Sequence, residues 1–177
     1  MTTFHAFLGC SLDGFIAGPN DELDWLTVFD NTGYEDFFAS VDALAMGRGS
    51  YDVMRAMAQD HYRGRPIHVL STTLAAGPHP DMGRSPVTVH PDIPALQKAL
   101  ADAGVRRVYA DGGRTVQAFL AAGLLSDLTV TRVPVLLGRG IPLFGPDPGP
   151  LRPHLVSSHA TDQGAVQSVY GFSADGH

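Results

Sequence analysis

Asp111-Gly112-Gly113-Arg114-Thr115 is the stretch whose residue types and spacing best suit chemistry. It follows the apolar run Val108-Tyr109-Ala110 and precedes the helical pattern Val116-Gln117-Ala118-Phe119-Leu120. A strand, two glycines and a helix bring backbone N–H groups and a helix N-terminus up to an anion, most often a phosphate. Glycine suits the turn because a Cβ would block close approach and because only glycine reaches positive φ cheaply. A tight turn without a ligand explains the same spacing, since the third spaced glycine of the dinucleotide fingerprint is absent. Two further stretches bear on that choice. Gly47-Arg48-Gly49-Ser50 follows the apolar run Asp42 to Met46, with Ser50 as the expected N-cap of a helix through Met54 and Met57. Ser71-Thr72-Thr73 follows Pro66 to Leu70. All three lie at the carboxyl ends of predicted strands, where α/β sheets bind ligands.

The elements that must position these residues alternate. Phe4 to Leu12 reads as a first strand, broken at Asp13-Gly14, resumed by Phe15-Ile16-Ala17 and turned at Gly18-Pro19. Gly18 to Asp30 reads as a loop anchored by Trp25 and Leu26, placed to cover a pocket or simply to lie on the surface. Thr32-Gly33-Tyr34-Glu35 fits a capping box, and Tyr34, Phe37, Phe38 and Val41 form one apolar helix face. Pro78 to Ser85 reads as a loop, Val87 to Val89 as a strand, and Asp92 as the cap of a helix stopped by Gly104. Leu128 to Leu137 is strand-rich, with Pro134 marking an edge or bulge. Pro146 to Pro153 is loop-like, and Leu155 to Ala160 with Ala165 to Phe172 forms a hairpin. The last four residues read as frayed. The sum is a mixed, mainly parallel sheet with helices on both faces and a C-terminal antiparallel hairpin.

Composition bounds the function. The 177 residues suit one domain, and 44% apolar with 17% charged residues is ordinary for a globular protein. A net charge of −6 argues against nucleic acid or an anionic membrane as partner, without excluding a local basic pocket. A lone cysteine, Cys10, permits no intramolecular disulfide and suggests a reducing, cytoplasmic setting. Cys10 itself reads as a buried, inert thiol. The N-terminus has neither the basic region nor the apolar run of a secretory signal, and no window suggests a membrane span. The eight histidines lack metal-ligand spacing, so no metal is expected. Neither a Gly-x-Ser-x-Gly elbow nor a Gly-Lys-Ser/Thr loop is present.

The chain resembles the dihydrofolate-reductase-like superfamily, in the branch of the bacterial riboflavin-biosynthesis reductase domain and its stand-alone relatives. Ser11 to Ala17, Met46 to Tyr51, Leu70 to Thr72, Asp111-Gly112-Gly113 and Pro134 to Gly138 carry the resemblance, in the family's order, between about Phe4 and Phe144. It implies the dihydrofolate-reductase-like fold, an NADPH site and a homodimer, for which the apolar run Val133 to Phe144 offers an interface. In that reading Asp111, Gly112, Gly113, Arg114 and Thr115 hold the pyrophosphate. Gly47, Arg48, Gly49 and Ser50 also belong to the cofactor site, Arg48 meeting the 2′-phosphate with its fork of donors and Ser71 and Thr72 adding hydroxyl donors to it. Ala17 and Gly18 bring backbone groups to the nicotinamide. Family members usually carry a strained Gly–Gly peptide, which here falls at Gly112–Gly113.

The resemblance also has a departure. Dihydrofolate reductases carry a carboxylate on the first helix, where this chain has Tyr34. Glu35 reads as the capping partner, and Asp36 lies about 200° around the helix from Tyr34. Asp13 is left as the acid candidate, with a turn-shaping role as its alternative. Trp25, Tyr34 and Phe38 are the expected substrate pocket, and Arg132 and Arg139 are available to a substrate phosphate. The implied activity is NADPH-dependent reduction of a small heterocycle, 5-amino-6-(5-phosphoribosylamino)uracil or a related pyrimidine or pterin. The alternatives are a non-catalytic NADP-binding protein on the same fold, dihydrofolate reduction, and an unrelated α/β hydrolase or binding module.

Overall fold

The computed structural model describes residues 1–57, 61–145 and 151–172. β1 (Thr3–Cys10) and β2 (Phe15–Ala17) are followed by the one-turn α1 (Asp24–Thr27) and by α2 (Tyr34–Ala39). Then come β3 (Ala43–Gly47), α3 (Arg48–Ala56), β4 (Ile67–Leu70), β5 (Gly77–Met82) and β6 (Ser85–His90). α4 (Ile93–Asp102), β7 (Arg107–Asp111), α5 (Gly113–Ala121) and β8 (Leu125–Arg132) complete the alternation. The chain ends with β9 (Ile141–Pro142) and the hairpin β10 (His154–Ala160) and β11 (Val166–Gly171).

Nine strands form one sheet in the order β10-β11-β8-β1-β7-β3-β4-β6-β5, and β2 pairs with β9 apart from it. The inner strands β8, β1, β7, β3, β4 and β6 run parallel, while β11, β10 and β5 are antiparallel. This is the expected mixed sheet with its C-terminal hairpin. The inner strands read as continuous apolar runs because both faces are covered. One face buries Phe4, Ala45, Val108, Ala110, Leu96 and Phe119; the other buries Phe7, Leu44, Met46, Tyr51, Ile67 and Tyr109. Cys10 is fully buried, and burial raises its thiol pKa.

Several local expectations change. Gly33, at φ 79°, takes the N-cap of α2, and no side chain caps that helix. Glu35 is drawn off instead by Arg63, which donates to both carboxylate oxygens at 2.8 Å. A bidentate arginine competes well against one backbone N–H, so the Thr32 capping box does not form. Ser50 lies inside α3, which starts two residues earlier with Gly47 as N-cap. Residues 77–82 form edge strand β5 rather than a loop, because an edge tolerates prolines whose missing N–H faces outward. β8 ends at Arg132, and of the run Val133 to Phe144 Val133 and Leu143 are buried within the chain. Trp25 and Leu26 sit on α1, with Leu26 packed over Gly9. Most of the Pro146 to Pro153 loop and the last four residues lie outside the described residues.

Candidate functional site

The site begins with register. β3 and β7 are parallel neighbours with Met46 opposite Asp111. The next residues, Gly47 and Gly112, are the N-caps of α3 and α5, so two nine-residue helices start side by side. Neither cap makes a side-chain hydrogen bond, whereas Asp92 caps α4 by accepting from the Ala95 N–H at 2.8 Å. The first-turn N–H groups of α3 and α5 therefore share one end of the sheet without a side-chain acceptor, an arrangement suited to an anion.

The glycines interlock this end. Gly112 sits at φ 88°, and a Cβ there would strike the Ser50 hydroxyl. A Cβ on Gly113 would strike Ile16 of β2, and one on Gly47 would lie 3.5 Å from the Thr115 hydroxyl. A Cβ on Gly49 would meet nothing within 4 Å, so the first turn of α3 faces open space. Every peptide bond among the described residues is trans. The constraint at Gly112–Gly113 is thus positive φ and close approach. Thr115 is buried and Arg114 exposed at the start of α5.

Arg48 points along the sheet end towards the loop after β4. It donates to the Thr73 hydroxyl at 2.6 Å and pairs with Asp52 at 3.2 Å. Both partners of the ion pair are about half exposed, so the pair is weak and readily exchanged for a ligand. Ser71 is buried and its hydroxyl accepts from the Thr73 and Leu74 N–H groups, which shapes the loop. Thr72 is exposed. Thr73, rather than Ser71 or Thr72, is the hydroxyl that meets Arg48. A cleft of about 600 Å³ opens here, lined by Arg48, Ser71, Thr72, Thr73, Asp92 and Pro94 among others.

On the α2 side of the sheet lies an aromatic floor. Tyr34 stands edge-on to Phe7 and Tyr109, and Phe37 packs on both of the latter. Such pairs contribute about 0.5–1.5 kcal/mol each beyond their buried area. Burial pushes the Tyr34 hydroxyl up to about 12, with Asp111 adding to the effect, so it stays neutral. The Asp111 backbone belongs to the diglycine turn, but its carboxylate turns to this floor and accepts from the Tyr62 hydroxyl at 2.7 Å. Burial raises the Asp111 pKa; hydrogen bonds from Tyr62, Tyr109 and the Gly112 N–H oppose the rise. Phe38, expected in the pocket, is 2% exposed and covered by the Arg65 guanidinium at 4.4 Å, which makes it core. Trp25 is half-buried, its indole N–H donating to the Glu22 carbonyl at 2.9 Å.

Asp13 has a different occupation. Its carboxylate accepts from Ser11 Oγ at 2.6 Å and from the N–H groups of Leu137 and Gly138 at 3.2 and 2.7 Å. The Ser11 hydroxyl, then the two backbone donors, hold its pKa below the usual value. An exposed, ionised carboxylate that ties two loops is poorly suited to donate a proton, and the geometry favours the turn role. Ala17 and Gly18 are buried beside Ile16, so they do lie next to the diglycine turn. Arg132 and Arg139 are exposed. Tyr62 had no sequence signal at all: it is a loop residue outside any motif, found only through its bond to Asp111.

Residues 3–167 match the model of the RibD C-terminal domain. Two Bacillus subtilis proteins are similar in sequence. Uncharacterized protein YwjB is 27% identical over 78% of this chain and 80% of its own length, and uncharacterized protein YyaP is 24% identical over 92% and 91%. A putative riboflavin biosynthesis protein from Shewanella sp. PV-4 superposes with a TM-score of 0.85 at 30% identity, covering 97% of this chain and 99% of that one. A Thermotoga maritima diaminohydroxyphosphoribosylaminopyrimidine deaminase/5-amino-6-(5-phosphoribosylamino)uracil reductase shares the fold, with a TM-score of 0.73 and 12% identity. This chain covers 57% of that longer protein and is itself covered to 97%. The resemblance carried by the glycine turns therefore holds across nearly the whole length, and the chain belongs to the RibD C-terminal domain family.

Proposed function

We propose that this chain is an NADPH-dependent reductase of a small heterocycle, 5-amino-6-(5-phosphoribosylamino)uracil or a related pyrimidine or pterin. The observation that carries the reading is the pair of uncapped helix starts at Gly47 and Gly112, beside a glycine that faces open space. The residues present fit a pyrophosphate there: backbone donors, two positive dipole ends and no carboxylate cap. Arg48 with Thr73 would take the 2′-phosphate, exchanging Asp52 for it. Ser71 holds that loop in shape, and Ala17 with Gly18 flanks the nicotinamide end.

When bound, NADPH supplies the hydride. The chain's own part is to hold a flat ring over Tyr34 and to supply a proton. Asp111 is the carboxyl on the aromatic floor, and burial favours its protonated form, whereas the bonds to Asp13 favour the ionised one. Tyr34 in place of a helix carboxylate argues against dihydrofolate as the substrate. The same reading includes a soluble cytoplasmic enzyme working as a homodimer. Among the described residues no helix is long and apolar enough to cross a membrane. Titrating the protein with NADPH and NADH while following tryptophan fluorescence tests the cofactor. Micromolar binding of NADPH is expected, and failure of both nucleotides to bind at millimolar concentration overturns it. Oxidation of NADPH with the ribosylaminopyrimidine and not with dihydrofolate is expected of the substrate.

A further inference from the structure

Tyr62 stands on a turn that is built with unusual care. Arg65 N–H donates to the Tyr62 carbonyl at 3.0 Å, closing a four-residue turn. Its two central residues, Arg63 and Gly64, have φ of 52° and 84°. Glycine suits that conformation; arginine does not, and holding it there requires outside contacts. Those contacts are on α2 and the residues just after it. Arg63 grips Glu35 through two hydrogen bonds of 2.8 Å. Arg65 donates from Nε to the Val41 carbonyl at 2.7 Å and lies over the Phe38 ring at 4.4 Å. Both arginines thus face one way, onto α2. Tyr62 goes the other way, 4% exposed, and its hydroxyl ends on Oδ2 of Asp111.

A phenylalanine would fill this space equally well, so the hydroxyl needs its own explanation. Tyr109, the other hydroxyl near Asp111, is divided between that carboxyl and the Phe7 carbonyl, which lies 3.2 Å from it. Tyr62 is the hydroxyl that donates to Asp111, at 2.7 Å, with no second acceptor among the described residues. We propose that the Tyr62–Arg65 turn is a positioning device, in which α2 fixes the turn and Tyr62 orients the Asp111 carboxyl on the aromatic floor. The inference rests on reading Asp111 as the proton-bearing group. Tyr62 itself is a positioning residue, since it acts through Asp111.

The groups facing Asp111 are Tyr62 from the turn, Tyr109 from β7, Tyr34 from α2 and the Gly112 N–H, with the Arg63–Glu35 pair beyond Tyr34. The Tyr62 bond favours the ionised carboxylate, so its loss raises the Asp111 pKa further. The test is Tyr62→Phe in the full chain, with Asp111 followed by carboxyl carbon NMR across pH. An upward displacement of the Asp111 titration is expected. In turnover, the pH limb governed by Asp111 should move up with it and kcat should fall on the order of 10-fold, while the Kd for NADPH is unchanged. Glu35→Gln is an exposed change that loosens the turn from α2, and it should move the Asp111 titration the same way by less. Unchanged Asp111 titration in both folded variants overturns the positioning role, whatever happens to Tm. If the wild type reduces none of the named substrates but the titration moves in the variants, the positioning stands and the reductase reading falls.

Discussion

The Ser50 hydroxyl of α3 occupies the place where Gly112 of α5 would carry a Cβ. Two helices that start on neighbouring strands are thereby locked together at their first turns. Gly112→Ala is expected to fail twice, by collision with Ser50 and by the positive φ of 88°. The backbone penalty alone is about 1–3 kcal/mol. Urea unfolding should show at least that loss, and Ser50→Gly in the same chain should recover only the steric part.

Arg48→Ala separates nucleotide recognition from folding. The Arg48–Asp52 pair is exposed on both sides, so unfolding free energy should change by less than about 0.5 kcal/mol. Loss of charge-assisted bonds to a 2′-phosphate costs about 1.5–3 kcal/mol, or roughly 10- to 100-fold in Kd. NADPH should weaken by that factor and NADH should not. An unchanged preference in fluorescence titration would remove Arg48 from the phosphate site.

Asp13→Asn tests the tie between loops. The amide keeps one acceptor for Leu137 or Gly138 but loses the charge that favours both N–H donors. Lower Tm with an unaltered pH profile of turnover is expected. A lost or displaced ionisation in that profile would restore Asp13 as the acid.

Acid should destabilise the fold through His68. Its ring stacks on His90 with Nδ1 and Nε2 2.9 Å apart, and burial, reinforced by His90, lowers its pKa to about 4. The unfolded chain takes up this proton near pH 6.5 while the folded chain resists it until about 4. Stability is therefore full above pH 6.5 and falls as pH drops through that window, by up to about 3 kcal/mol. Urea midpoints for wild type and His68→Gln should differ in slope between pH 7 and 4, the variant showing the flatter curve.

Val156→Lys tests the homodimer. All seven residues of β10 are exposed, and the strand carries no Asp, Glu, Lys or Arg. An uncharged open edge pairs readily with another strand, and a lysine there opposes it. Sedimentation should give a dimer for the wild type and a monomer for the variant. A wild-type monomer at micromolar concentration contradicts the expectation.

The architecture was legible because strands buried on both faces leave unbroken apolar runs, and because Gly112, at positive φ against Ser50, marks a turn that no other residue fits well. The two glycine-capped helix starts at Gly47 and Gly112 were legible from their glycines as well. What escaped depended on distant partners. Thr32 to Glu35 has every local mark of a capping box, yet Arg63, 28 residues on, takes Glu35. Prolines hid β5 because the pattern cannot tell an outward-facing edge from a loop. Phe38 looked available from its helix face, and only Arg65 folding over it makes it core. Tyr62 was invisible because its meaning lies in a bond to a residue 49 positions away.

The two edges of the nine-stranded sheet are unlike. β10 is open, but β5 carries Pro78, Pro80 and Asp81, which cannot sustain a ladder with another chain. A molecule with one receptive edge can add one copy of itself and then stop, since each copy presents a blocked edge outward. In the proposed homodimer, this asymmetry among the described residues would act as a built-in count that allows a closed pair and opposes a fibre.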